Sequence, residues 1–192
     1  MTRLILASTS PYRRALLERL RLPFDVVRPE VEEAHLPGET PADRALRLSL
    51  EKAAAVAERH PEALVIGSDQ VAAAEHQILE KPGTVAAARA QLATLSGTAA
   101  RFYTGCAVIG GRDAIRLVHL DTTTVVFRSL GEPEIARYVA EEQPLDCAGG
   151  FKAEGLGISL FESIESQDPT ALIGIPLIWL AGALRRAGHL VP

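Results

Sequence analysis

The stretch "LASTSPYRRALLERL", residues 6–20, brings hydroxyls and guanidiniums together at one predicted helix start. Ser10 is a suitable N-cap and Pro11 suits the first helical position. Arg13 and Arg14 then fall in the first turn, at the positive end of the helix dipole, where a cation costs up to about 1 kcal/mol. An anion at that end would offset both. The Ser8-Thr9-Ser10 hydroxyls, the free backbone N–H groups and two planar guanidiniums form a donor set suited to phosphate. Solvation of the arginines, or pairing with an acid such as Glu18, would offset them as well.

Other charges enter apolar surroundings. Ala45, Leu48, Lys52 and Val56 recur at spacings of three and four, so Lys52 interrupts a core-facing helical stripe. Its ammonium either snorkels to water or meets an anion. "ALVIGSDQVAAA" places Asp69 in an apolar run, just beyond the carboxyl end of an expected strand. Sites of open α/β sheets gather at that edge; the alternative is a Gly-Ser-Asp turn with a solvated carboxylate. Glu30, Glu32 and Glu33 cluster in a loop, a pattern that ordinarily means solvated acids. If one of them faces Asp69, the pair can hold a magnesium ion bridging phosphate oxygens. Lys81, in "LEKPG", ends a short strand and equally suits an ordinary loop. "AGGFKAEGLGI" crowds four glycines around Phe151, Lys152 and Glu154, which permits close approach of backbone to a ligand or simply an irregular loop.

The elements that must position these groups are legible in the pattern. "RLILA" reads as a buried strand, Pro11 to about Leu20 as a helix, and "FDVVRP" as a strand. Thr40-Pro41-Ala42-Asp43 reads as a capped start of a helix reaching about Arg59. "ALVIG" is the next strand, followed by a hairpin in "SDQVAAAEHQILEKP" turning near Glu75-His76. "TVAAARAQLATLSG" is a helix closed by Gly97. Two long strands joined through Gly110-Gly111 follow. Then come a helix in "GEPEIARYVAEEQ", a strand-like "GISLFESI" and a final helix in "IPLIWLAGALRRAG" that ends at Gly188. Hairpins mixed with crossovers predict an α/β fold with a mixed, twisted sheet flanked by helices. No linker divides the chain, so residues 1–192 are read as a single domain.

Composition narrows the function classes. The 192 residues are 47% apolar, enough for a real core. With 20 basic against 24 acidic side chains the net charge is −4, which argues against a nucleic-acid polymer as partner. Any phosphate site is therefore a local basic pocket. Cys106 and Cys147 form no CxxC, so neither a disulfide scaffold nor a zinc site is expected, and both should pack as small apolar side chains in a reducing compartment. The opening apolar run is too short for a signal peptide and no run of about 20 apolar residues occurs. A cytoplasmic location without membrane contact is expected. The histidines (35, 60, 76, 119 and 189) lack ligand spacing and are expected at the surface. Neither GxGxxG nor GxxxxGK[ST] is present.

Taken together, "LASTSPYRRALLERL", "EVEE", "RLSLEKA", "IGSDQV", "EKPGT", "LSG", "FYTG", "CAGGFKAEGLGISLFESIE" and "DPTALIGIPL" resemble, in order and over nearly the whole chain, the Maf-like nucleoside triphosphate pyrophosphatase family. The resemblance implies a Maf/inosine-triphosphatase-like mixed α/β fold with a central cleft, and a divalent metal, Mg2+ or Mn2+. It also implies hydrolysis of a nucleoside triphosphate substrate to its monophosphate and pyrophosphate. Carried over, Asp69 is the catalytic carboxylate accepting a proton from water, and Glu33 is its metal-associated partner. Ser8, Arg13, Arg14, Lys52 and Lys81 hold the phosphates. Tyr12, "SDQ" with Gln70, and Glu154-Gly155 stand where many members read "SPRR", "ADT" and "QG". Those departures resemble the subgroup acting on 7-methyl-GTP. The N7-methylated ring is cationic and suits the face of Tyr12. Glu154 can accept hydrogen bonds from the guanine edge, and Gln70 can add an amide contact. The alternatives are dTTP, UTP or another modified nucleotide as substrate, or a non-catalytic nucleotide-binding regulator of septum formation. The family also suggests a homodimer.

Overall fold

The computed structural model describes residues 2–75, 77–111 and 114–192. In chain order the elements are strand β1 (Leu4–Ala7), helix α1 (Pro11–Glu18), β2 (Asp25–Val27), α2 (Pro41–Ala57), β3 (Leu64–Ala74), β4 (Gln77–Leu79), α3 (Val85–Leu95), β5 (Ala99–Gly110), β6 (Ile115–Phe127), α4 (Glu132–Glu142), β7 (Phe161–Glu165) and α5 (Leu177–Arg186). Short 3₁₀ turns lie at Ala148–Gly150, Leu156–Leu160 and Ala171–Ile173. Strand pairing follows the order β2-β1-β3-β5-β6-β7, with β4 on β3. β1 is parallel to β2 and β3, whereas β3–β4 and β6–β7 are antiparallel. The sheet is therefore mixed, as its hairpins and crossovers predict.

Packing gathers the chain into two compact units, Met1–Gln70 with Tyr103–Asp121 and Asp168–Pro192, and Val71–Phe102 with Thr122–Gln167. In the first, alternation along the strands assigns side chains to opposite faces. Leu4, Leu6, Leu64, Ile66, Cys106 and Val108 pack with Leu16 and Leu17 of α1 and Leu180 and Leu184 of α5. Ile5, Ala7, Val65, Ala107 and Ile109 pack instead with Ala53 and Val56 of α2. The second unit is centred on aromatic side chains. Phe151 meets Phe102, Phe127 and Phe161 edge-to-face at centroid separations of 5.3, 5.6 and 4.8 Å, and α3 and α4 bury Leu92, Leu95, Ile135 and Val139.

Several expectations need correction. β3 does not stop at Gly67 but continues to Ala74, so Asp69 lies inside a strand rather than beyond its end. Gly67 serves close packing there, since a Cβ would stand 2.2 Å from the Ser49 carbonyl oxygen of α2. "GISLF" begins as a 3₁₀ turn and β7 starts only at Phe161; a Cβ on Gly157 would stand 2.4 Å from the Lys152 carbonyl oxygen, so the chain is folded back on itself. α1 ends at Glu18, two residues early. His189 is buried rather than superficial. Cys106 is buried as expected, but Cys147 is half-buried beside the Asp146 carboxylate. His76, where the first hairpin was expected to turn, and Arg112–Asp113 after Gly110-Gly111 lie outside the described residues.

Candidate active site

The first unit brings together residues that lie far apart in sequence. β1 ends at Ala7, and Ser8 Oγ accepts a hydrogen bond from Ser10 N at 3.1 Å. Ser10 Oγ in turn caps α1 by accepting from Arg13 N at 3.3 Å. Pro11 and Ser10 thus start the helix as the sequence predicts. Arg13 turns inward, and its Nε donates to the Gly174 carbonyl at 3.2 Å. Arg14 turns outward to Glu18, Nε to Oε1 at 3.0 Å, an exposed i,i+4 pair. Tyr12, in the first turn of the same helix, is half-buried. The unfavourable charge at this helix end is met on one side by a carbonyl and on the other by a carboxylate.

Lys52 is the centre of the site. α2 is capped by Thr40, whose Oγ1 accepts from Asp43 N at 3.1 Å. Its stripe of Ala45, Leu48, Lys52 and Val56 faces inward as read from the sequence. Lys52 does not snorkel. Only 6% exposed, its Nζ lies 2.6 Å from Asp69 Oδ1 and 2.6 Å from Glu33 Oε1. Among the loop acids, Glu33 is therefore the one that faces Asp69 across a shared ammonium, while Glu30 approaches Arg59 at 3.7 Å. Two carboxylates gathered at one point are a hard-oxygen donor set. Among the described residues no group of three or more His, Cys, Asp or Glu could hold a metal alone. Magnesium is ordinarily held by one or two carboxylates together with other oxygens and water, and Asp69 and Glu33 are the residues here that would supply them.

Ser68 and Asp168, which sequence reading passed over, and Thr104, read there only as a residue lining the cleft, hold the floor of this arrangement. Ser68 Oγ lies 2.8 Å from the Gly105 and 2.7 Å from the Gly174 carbonyl oxygens, sharing its proton between them. Buried Asp168 accepts from Thr170 N, Thr170 Oγ1 and Ile178 N at 3.0, 2.6 and 2.6 Å. That fixes the turn carrying Gly174 against Arg13; its signal is the Asp-Pro-Thr turn sequence. Thr104 Oγ1 donates to Ala171 O at 2.9 Å. Gln70 Nε2 reaches Thr104 Oγ1, Ala171 O and Leu172 O, each at 3.0 Å, so its amide N–H groups strap β3 to the same turn. Burial pushes the Cys106 thiol up to about 12, against the pull of Arg13.

Lys81 and Glu154 fold into the second unit, where both are exposed. The loop carrying Glu154 is tied down by Glu142, whose Oε2 accepts from Leu156 N at 2.8 Å, and by Lys152, whose Nζ donates to Glu142 O at 3.0 Å.

The Maf-like protein family model matches residues 3–187. The chain belongs to the Maf-like family. A 7-methyl-GTP pyrophosphatase of Xanthomonas axonopodis pv. citri (strain 306) is 58% identical to this Maf-like chain over 193 residues, covering 100% of both. One from Aromatoleum aromaticum is 54% identical over 191 residues, covering 100% of this chain and 98% of its own. Among solved structures, the Staphylococcus aureus Ham1 protein superposes with a TM-score of 0.54 at 15% identity, over 97% of this chain and 100% of that one. At that identity the likeness extends to the mixed α/β fold of the Maf-like chain and no further.

Proposed function

We propose that this chain hydrolyses 7-methyl-GTP to 7-methyl-GMP and pyrophosphate, removing a modified nucleotide from the pool. One observation carries the reaction: a buried lysine with carboxylates on both sides, Asp69 and Glu33, each 2.6 Å from its Nζ. The identity of the base rests on the full-length relatives of that name.

The chemistry requires water oxygen to bond to the α-phosphorus as the bond from that phosphorus to the bridging oxygen breaks. Pyrophosphate departs with the bond's electrons, and the water proton passes to a base. Asp69 is that base, oriented by the Lys52 ammonium. Arg13 and Ser8, at the amino end of α1, hold phosphate oxygens, and Lys52 adds charge next to the reacting group. Arg14 joins them by leaving Glu18, a surface pair that costs no more than about 1 kcal/mol to break. Glu33 and Asp69 would hold a Mg2+ or Mn2+ ion, which when bound neutralises charge developing on the phosphate oxygens. Tyr12 offers an aromatic face to the cationic methylated ring. Gln70 contributes through the strap it forms. A nucleotide-pool enzyme with two free cysteines belongs in the cytoplasm.

A side-by-side release assay on 7-methyl-GTP, GTP, dTTP and UTP tests the reading. The expected result is pyrophosphate, with kcat/KM at least ~10-fold higher for 7-methyl-GTP, a difference of about 1.4 kcal/mol in transition-state binding. Preference for dTTP or UTP would overturn the base assignment, and release of orthophosphate would overturn the choice of bond. Asp69→Asn should lower kcat by ~10²–10⁴, the range of a lost general base.

A further inference from the structure

We infer that Arg47 is a positioning residue for Glu33, clasping the loop of residues 28–40 to α2 so that the Glu33 carboxylate meets Lys52. The inference rests on the reaction proposed above. Glu33 has no helix or strand to hold it, and its side chain is 55% exposed. Ion pairs at such exposure are individually weak, and loops lacking buried contacts open readily. The backbone that carries it is held as well.

The restraint is on α2, one and a half turns before Lys52. Arg47 Nε and Nη2 grip both oxygens of Glu39 at 2.5 and 2.8 Å. The same Nη2 donates to the Ala34 carbonyl, the residue after Glu33, at 3.0 Å, and Nη1 reaches Glu51 Oε2 at 3.0 Å. Glu39 is nearly enclosed, and the guanidinium holds its carboxyl below the usual range. A turn earlier, Arg44 Nη2 donates to the Glu33 carbonyl at 3.1 Å, and its Nη1 meets the His35 ring. The loop is thus bound at its acid and beyond it by the helix that carries the acid's partner. Glu33 and Lys52 share one scaffold, the condition for holding a reacting group within a fraction of an ångström. A planar fork with donors in fixed directions can grip a carboxylate and a carbonyl together, whereas a lysine ammonium cannot.

The test compares wild type with Arg47→Lys and Glu39→Gln by amide hydrogen exchange on the ligand-free full chain and by steady-state kinetics with 7-methyl-GTP. In both variants, exchange in residues 28–40 should quicken by ~10-fold or more, and kcat should fall by ~10-fold or more with KM changed less than ~2-fold. Wild-type exchange in that loop overturns the clasp. Faster exchange with kcat unchanged, or with the loss confined to KM, overturns the positioning of Glu33. Should Arg47→Lys fail to fold, Glu39→Gln, which keeps the arginine, decides by the same readings. If wild type releases pyrophosphate from no nucleotide, the proposed reaction fails by itself. The exchange measurement then decides the clasp alone, unchanged rates overturning it and faster rates upholding it.

Discussion

Asp69, Lys52 and Glu33 make a chain of alternating charge, and removing different members leaves different imbalances. Lys52→Met leaves the enclosed Asp69 carboxylate beside Glu33 with no cation between them. Breaking a buried pair from one side costs about 3 kcal/mol or more. Asp69→Asn still leaves Lys52 its Glu33 partner and should cost less, about 1–2 kcal/mol. Urea unfolding should therefore rank Lys52→Met below Asp69→Asn, and the reverse order would mean that Glu33 contributes nothing to the buried ammonium. Cysteine chemistry checks the same interior. With its thiol raised to about 12 and fully buried, Cys106 should resist iodoacetamide in the folded protein while half-buried Cys147 reacts. Mass mapping before and after denaturation reads this directly. The lysine was visible in the sequence as a fault in an apolar stripe, because helical spacing is a local property. Spacing did not say which acid answers it, and Glu33 was singled out by the family resemblance alone, since a loop's path depends on arginines such as Arg44 and Arg47 that look like ordinary surface charge.

At the scale of elements, α2 reaches its place because β3 and β5 each set a glycine, with no side chain, where the helix comes closest. A Cβ on Gly67 would stand 2.2 Å from Ser49 O, and one on Gly105 would stand 2.2 Å from Ala45 O. β3 then carries Asp69 two residues past Gly67, opposite Lys52. Either glycine replaced by alanine must push the helix off the sheet, a change expected to cost about 3 kcal/mol, the upper part of the range for overpacking. Gly131→Ala, at a helix start where the nearest atom would be 3.8 Å away, should stay within about 0.5 kcal/mol of wild type. Thermal unfolding of the three variants distinguishes close packing from a general intolerance of alanine. These glycines explain why β3 was read too short. Gly-Ser-Asp is turn-forming in isolation, and only the neighbouring helix shows that the glycine is there for space.

For the whole molecule, the acid limit of stability belongs partly to His189. Burial lowers its pKa below the ordinary value of 6.5, and its Nε2 finds no partner among the described residues. The unfolded chain therefore binds the proton more readily than the folded one. Above the unfolded pKa the residue exerts no pH-dependent effect; as pH falls below about 6.5 it increasingly favours unfolding, down to the folded pKa. The stability of wild type minus that of His189→Phe should be flat above pH 7.5 or so and shrink towards pH 5. A difference that stays constant would show that His189 takes up its proton as readily in the fold as in the unfolded chain. Strand and helix types were legible along the chain because each is set by its own period, but the two units were not. Each is assembled from pieces that alternate in sequence, so no change of composition marks a border. That interleaving has a bearing on biosynthesis. Nascent chains mature from the amino end as they leave the ribosome. Here the turn that seats Arg13, Ser68 and Gln70 comes from residues 168–192, so β1, α1 and α2 must wait for it. A growing polypeptide stays unable to process nucleotides until that late segment has been made and docked.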